Sequence, residues 1–300
     1  MRLANLNGRL ALREGDGFVD VASASGGRFG PDPQSVYAYW TEFSAWAEKA
    51  QSAQEGQRAP GAESEARDHS RPEITRPGPD TVWGSPAPAP RQIFAIGLNY
   101  RDHAQESGIA VPDEPPVFTK FATSLTGHRQ DVVLPEGSVD WEVELVVVIG
   151  SGCHRATRET AWQHVAGLTV GQDLSERRLQ LAGPVPQFSL GKSYPGFAPV
   201  GPELVTPDEI DHPDDLELGC GLQDGEVLQK GRTSNMVFDV PELIVRLSAV
   251  CPLLPGDLIF TGTPAGVGAG RDPQRFLAPE EVLVSWIEGI GTLTNRMVSA

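Results

Sequence analysis

The chain has 300 residues, 39% of them hydrophobic and 21% charged, enough to bury a sizeable core in one large domain or one domain plus a small module. A formal net charge of −16 argues against unaided binding to nucleic acid or to an anionic membrane surface, since both are negative. No stretch approaches the roughly 20 apolar residues of a membrane span.

Residues 1–50 are expected to form a small N-terminal α+β module. Met1 to Arg13 alternates apolar and polar residues without the apolar core of a secretory leader, so a cytoplasmic location is expected. Cys153, Cys220 and Cys251 are scattered without metal-site spacing, which fits reduced core thiols in such a compartment. Asn7-Gly8 is a strong turn dipeptide and predicts a hairpin. Asp32 to Lys49 reads as a helix whose Trp40, Phe43 and Trp46 recur at helical spacing and belong in a core. Residues 51–90, rich in Ala, Glu, Gln, Ser, Arg and Pro, read as a flexible linker. Residues 91–300 are strand-rich, with strands predicted at Ile93–Gly97, Val132–Leu134, Glu142–Ile149, Leu168–Val170, Leu216–Leu222, Leu258–Phe260 and Val282–Ile287. Helices are predicted at Arg101–Ser107, Arg158–His164 and Val240–Ser248. Short strands separated by Gly/Pro turns point to a mostly β, α+β fold with a curled mixed sheet or sandwich-like core.

Glu142 and Glu144 stand two apart at the mouth of the apolar, β-branched run Leu145 to Ile149. Strand side chains alternate, so both carboxylates face one way, and a buried like-charged pair requires a positive group. Oxygen donors of this kind suit Mg²⁺, Mn²⁺ or Ca²⁺. Asp173, at the end of the run Val165 to Val170, is the candidate third ligand; its alternative is to cap a helix starting near Leu174. His103 and Glu106 share a helical face, the arrangement of a general base held by a carboxylate, or of an ordinary surface pair. Thr261 to Gly268 places hydroxyls and backbone N–H groups in a loop after a strand, able to hold a carboxylate or enolate or simply to turn tightly. Lys192, beside Gly191, is a candidate substrate-facing cation or a surface loop lysine.

Taken together and in order, Gly97 to Ala104, Glu142 to Gly150, Gly191 to Tyr194, Pro255 to Ile259 and Thr261 to Gly268 resemble the fumarylacetoacetate hydrolase family over roughly residues 92 to 298. The resemblance implies the mixed β-sandwich roll of that family's C-terminal domain, a homodimer, and Mg²⁺ or Mn²⁺ held by Glu142, Glu144 and Asp173. It implies acylpyruvate-like 1,3-dicarbonyl or 2-oxo acid substrates, cleaved hydrolytically at a carbon–carbon bond. His103 with Glu106 would activate water and Lys192 would neutralise oxyanion charge. Gln180, Thr263, Gly262 and Arg101 would contact substrate. Isomerisation or decarboxylation at the same metal, and binding of metal or 2-oxo acid without turnover, are the competing readings. The chain departs from the family pattern at Arg178, where an acid is usual, and at Pro195.

Overall fold

A computed structural model describes residues 1–57 and 73–300. Of the expected linker over 51–90, residues 58–72 therefore lie outside the described residues.

Two sheets carry the fold. The larger runs, in spatial order, through Ile74–Thr75, Gly17–Asp20, Arg9–Glu14, Arg2–Leu6, Ala198–Val205, Val165–Gln172, Val143–Ile149, Leu258–Phe260, Ile93–Ile96 and Val117–Thr119. The second holds Val227–Arg232, Glu217–Leu222, Val282–Ile287, Gly291–Ser299 and Val132–Leu134. The predicted hairpin at Asn7-Gly8 is present, with Leu6 opposite Arg9 and φ of 54° and 76° at the two turn residues. Asn and Gly are the residues that tolerate this left-handed conformation. Its first strand pairs antiparallel with Ala198–Val205, so the N-terminal strands extend the main sheet.

The strand Val143–Ile149 is buried on both faces, which is why its sequence is continuously apolar instead of alternating. Val143, Leu145, Val147 and Ile149 enter a core shared with Leu218, Leu283 and Leu293 of the second sheet. Val146 and Val148 face the opposite core, with Trp40, Phe43 and Ala47 of the helix Trp40–Gln57. Glu142 and Glu144 have the parity of Val146 and Val148, and so occupy the open end of that helix-side face.

The aromatic stripe is core, as expected: Phe43 is fully buried and its ring meets Phe29, Trp40 and Trp46. The helix itself starts later than predicted, because Ser35–Tyr39 closes as a 3₁₀ turn before Trp40. Only a 3₁₀ turn, Ala161–His164, forms where the helix Arg158–His164 was expected. All three cysteines are free thiols.

Candidate metal centre and cavity

Strand register assembles the acids. Val143 pairs with Gln172 and Glu144 with Gly171, so Asp173 follows directly across from Glu142. The Asp173 N–H donates to the Glu142 carbonyl at 2.9 Å. Two glutamine carbonyls close the strand end: the Gln172 side chain accepts from the Glu142 N–H and the Gln229 side chain from the Val143 N–H, both at 2.9 Å. The Glu142, Glu144 and Asp173 oxygens lie within 4.8 Å of one another, and all three residues are buried. Asp173 caps no helix. The cap of the four-residue helix Arg177–Gln180 is Glu176, whose carboxylate accepts from the Arg178 and Leu179 N–H groups.

Basic side chains surround two of the three acids. Lys192 Nζ donates to Glu142 Oε2 and Asp173 Oδ2, each at 2.6 Å, and Lys120 Nζ donates to Asp173 Oδ1 at 2.5 Å. Arg177 reaches both Glu142, at 2.8 Å, and Asp140, at 2.7 Å. Burial alone would raise the Glu142 carboxyl, but Lys192 and Arg177 outweigh it and hold the group well below its ordinary range. Lys192 responds in kind: burial disfavours its charge, and Asp173 and Glu142 more than restore it. Glu144 differs. Among the described residues it has no ion-pair partner; one oxygen accepts from the Gly262 N–H at 2.8 Å. Burial, then the charges of Asp173 and Glu142, push its carboxyl well above the usual value. A divalent cation is the group this donor set fits: three convergent carboxylates, one without a counter-charge, in a site too buried for water to neutralise it.

A cavity of about 430 Å³ opens beside the acids, lined among others by His103, Glu106, Glu142, Arg177, Gln180, Lys192 and Thr263. The helix Arg101–Glu106 presents His103 Nδ1 to Glu106 Oε2 at 3.0 Å. Glu106 Oε1 accepts from the Gly266 N–H at 2.9 Å. Burial tends to raise the Glu106 carboxyl, but the His103 ring and the Gly266 amide offset this and lower it, which keeps an anion beside the imidazole. An Nδ1–H directed at Glu106 leaves Nε2 free to accept a proton.

The structure thus brings together Glu142, Glu144, Asp173, His103, Glu106, Lys192, Gln180 and Thr263. Lys192 is 2% exposed and is no surface lysine. The Thr263 hydroxyl is already committed, donating to the Val143 carbonyl at 2.9 Å and accepting from Gln229 Nε2 at 2.8 Å. Gly262 supports Glu144 through its N–H instead of lining the cavity. Arg101 is not brought to the acids. Its guanidinium donates to the Met236 carbonyl at 2.7 Å and lines a separate surface cavity with Arg158, Asp239 and Arg246. Arg178 and Pro195 are both exposed and neither lines the site. Sequence reasoning missed Arg177, Lys120 and Asp140. Asp140 is fully buried and ties Arg177 to the Gly268 and Ala269 N–H groups. The available signal for Lys120 was its place two residues after Phe118, on the same face of an extended run.

The family model "Fumarylacetoacetate (FAA) hydrolase C-terminal" matches residues 92–298. The human mitochondrial protein oxaloacetate tautomerase FAHD2A is 42% identical over 224 residues, covering 74% of this chain and 71% of the relative. A 2,4-didehydro-3-deoxy-L-rhamnonate hydrolase of Sphingomonas sp. (strain SKA58) is 44% identical over 218 residues, covering 72% and 76%. Among solved structures, maleylpyruvate hydrolase from Sphingobium sp. SYK-6, in complex with manganese(II) ion and pyruvate, superposes with a TM-score of 0.78 at 28% identity over the full length of both chains.

Proposed function

Since the chain belongs to the fumarylacetoacetate hydrolase family, we propose that it is a divalent-metal-dependent hydrolase that cleaves a carbon–carbon bond in an acylpyruvate-like 2-oxo acid. The observation that carries this reading is the uncompensated Glu144 within a buried carboxylate triad, opening onto a cavity that also holds a histidine–carboxylate pair. Glu142, Glu144 and Asp173 would hold Mg²⁺ or Mn²⁺; a relative of the same fold binds manganese(II). Bound there, the ion would supply a template for two substrate oxygens and Lewis-acid stabilisation of an enolate.

The protein's own groups account for the remaining chemistry. His103 Nε2 takes a proton from a water that attacks the carbonyl distal to the carboxylate. Glu106 holds the Nδ1–H and stabilises the imidazolium that results. Lys192 lies close enough to Glu142 and Asp173 to place its ammonium beside oxygen charge that develops in the same space. Arg177 donates to Gln180 Oε1 at 2.8 Å, which turns the Gln180 amide donors toward substrate. Collapse of the tetrahedral adduct releases a carboxylic acid and the enolate of pyruvate, which takes up the proton.

In this reading residues 91–300 carry the chemistry, residues 1–50 buttress the main sheet, and the protein works as a cytoplasmic homodimer. The test is incubation of purified protein with Mg²⁺ or Mn²⁺ and a panel of acylpyruvates. Consumption of at least one member is expected; none consumed across the panel would overturn the proposal. A tautomerase or isomerase on the same scaffold is the second reading, favoured by the 42% identity to an oxaloacetate tautomerase. It needs no water attack, so a His103→Ala variant with undiminished turnover would select it.

A further inference from the structure

Resting on that reading of the site, we infer that the substrate is a monocarboxylate whose far end is apolar, and that 2-oxo diacids of the same length are discriminated against. Three observations lead there. The first is charge. Three basic side chains line the cavity, and each already faces an acid: His103 meets Glu106, Arg177 meets Asp140 and Glu142, and Lys192 meets Glu142 and Asp173. Among the described residues the cavity holds no cation left to pair a second substrate carboxylate. A carboxylate desolvated without a partner is strongly disfavoured.

The second is the apolar part of the cavity lining. Leu98, Ile109, Phe118, Leu181 and Phe188 form it. Phe118 and Phe188 meet edge to face with ring centroids 5.6 Å apart, and Lys192 Nζ sits 5.0 Å from the centre of the Phe118 ring, so the apolar wall begins where the polar site ends. At its rim Ile109 and Leu181 are 53% and 57% exposed. Large apolar side chains left uncovered at the lip of a cavity are a surface that an apolar ligand segment covers with gain.

The third is Leu98 itself. Its φ of 50° is a left-handed conformation that a leucine seldom adopts. Asn99 enforces it: its side-chain amide donates to the Phe238 and Thr261 carbonyls at 2.9 and 2.7 Å, and its oxygen accepts from the Phe238 N–H at 2.8 Å. Strain held in place by such a clamp, with the side chain lining the cavity, marks Leu98 as a residue that shapes the tail pocket.

The experiment is calorimetric binding in the presence of Mn²⁺, comparing 2-oxooctanoate with 2-oxosuberate, which differ only by a terminal carboxylate. The monoacid is expected to bind at least about ten-fold more tightly, the scale of discrimination that one mismatched group produces. Leu181→Arg, at an exposed position that leaves the acids and His103 untouched, is expected to close most of that gap by supplying the missing cation. A diacid that binds the unaltered protein as tightly as the monoacid, or a monoacid that does not bind, overturns the inference. Loss of the hydrolase reading would look different: the binding preference would stand while no acylpyruvate was turned over.

Discussion

Glu144 is the residue on which most turns. Its neighbours Glu142 and Asp173 have lysine or arginine partners, and it has an amide N–H alone. Two consequences of opposite sign follow from neutralising it. A Glu144→Gln variant should be more stable than the unaltered protein when both are stripped of metal, because burial and the neighbouring acids disfavour ionisation of Glu144 in the folded chain while the unfolded chain ionises it freely, a cost that glutamine does not bear. The same variant should lose the thermal stabilisation that added Mn²⁺ gives the unaltered protein. Scanning calorimetry of both proteins with and without the ion measures both effects; equal stabilisation by Mn²⁺ would contradict the assignment of Glu144 as a ligand. His103 acts at the next step. His103→Ala should lower kcat by about 10²- to 10⁴-fold, the usual contribution of a general base, with metal stoichiometry unchanged. Spacing marked the acids, His103 and Glu106 as candidates, and the resemblance to the family pattern, not spacing, selected them over a helix cap and an ordinary surface pair. Arg177 was not, because Arg177 and Arg178 adjoin on a short segment, and the phase that turns one inward and the other out is set by the Glu176 cap. The neighbour that sequence comparison singles out, Arg178, is the one in solvent.

At the scale of elements, the strand Val143–Ile149 joins two cores, and its parity decides where chemistry is placed. Odd positions are packed against the second sheet, while even positions run from the aromatic helix cluster to the acids. That strand was legible because burial on both faces forces an unbroken β-branched run. Ala198–Val205 was not legible: Pro199, Gly201 and Pro202 argue against a central strand, yet it lies between Arg2–Leu6 and Val165–Gln172, with a register shift along its pairing with the latter. The helix Arg158–His164 fails for a related reason, since too few residues remain between the turn at Thr157–Thr160 and the strand at Val165 to close more than a 3₁₀ turn. Helix and sheet cohere through the aromatic cluster. Phe43→Ala should cost about 3 to 5 kcal/mol, the range for an emptied aromatic core site, and should lower the melting temperature. Because Phe43 touches none of the acids, metal stoichiometry of the folded protein should be unchanged, and a loss of metal binding in that variant would show that the two ends of the face are coupled.

Across the whole molecule, acid sensitivity has a source outside the site. His128 is buried against Trp83, and its Nδ1 accepts from the Thr294 N–H at 3.0 Å, a bond that only the unprotonated nitrogen can accept. Burial, reinforced by Arg129, lowers its pKa from 6.5 to about 4. Between those values the unfolded chain binds the proton and the folded chain does not. This contribution to stability is therefore complete above pH 6.5 and is lost as the pH falls toward 4. Its full size is on the order of 3 kcal/mol. His128→Asn, which keeps an acceptor for Thr294, should flatten the pH dependence of urea unfolding across that interval; an unchanged slope would place the acid sensitivity elsewhere. No helix among the described residues is long and apolar enough to cross a membrane.

The central claim is that metal held by Glu142, Glu144 and Asp173 and water activated by His103 together break a carbon–carbon bond. Its most direct measurement is product analysis in isotopically labelled water, with an acylpyruvate that the protein consumes and with chelated and Mn²⁺-loaded protein side by side. The account predicts pyruvate and a carboxylic acid in equal amounts, with a solvent oxygen in the new carboxylate, from the loaded protein alone. Equal release by the chelated protein, or consumption with no labelled acid formed, would contradict it.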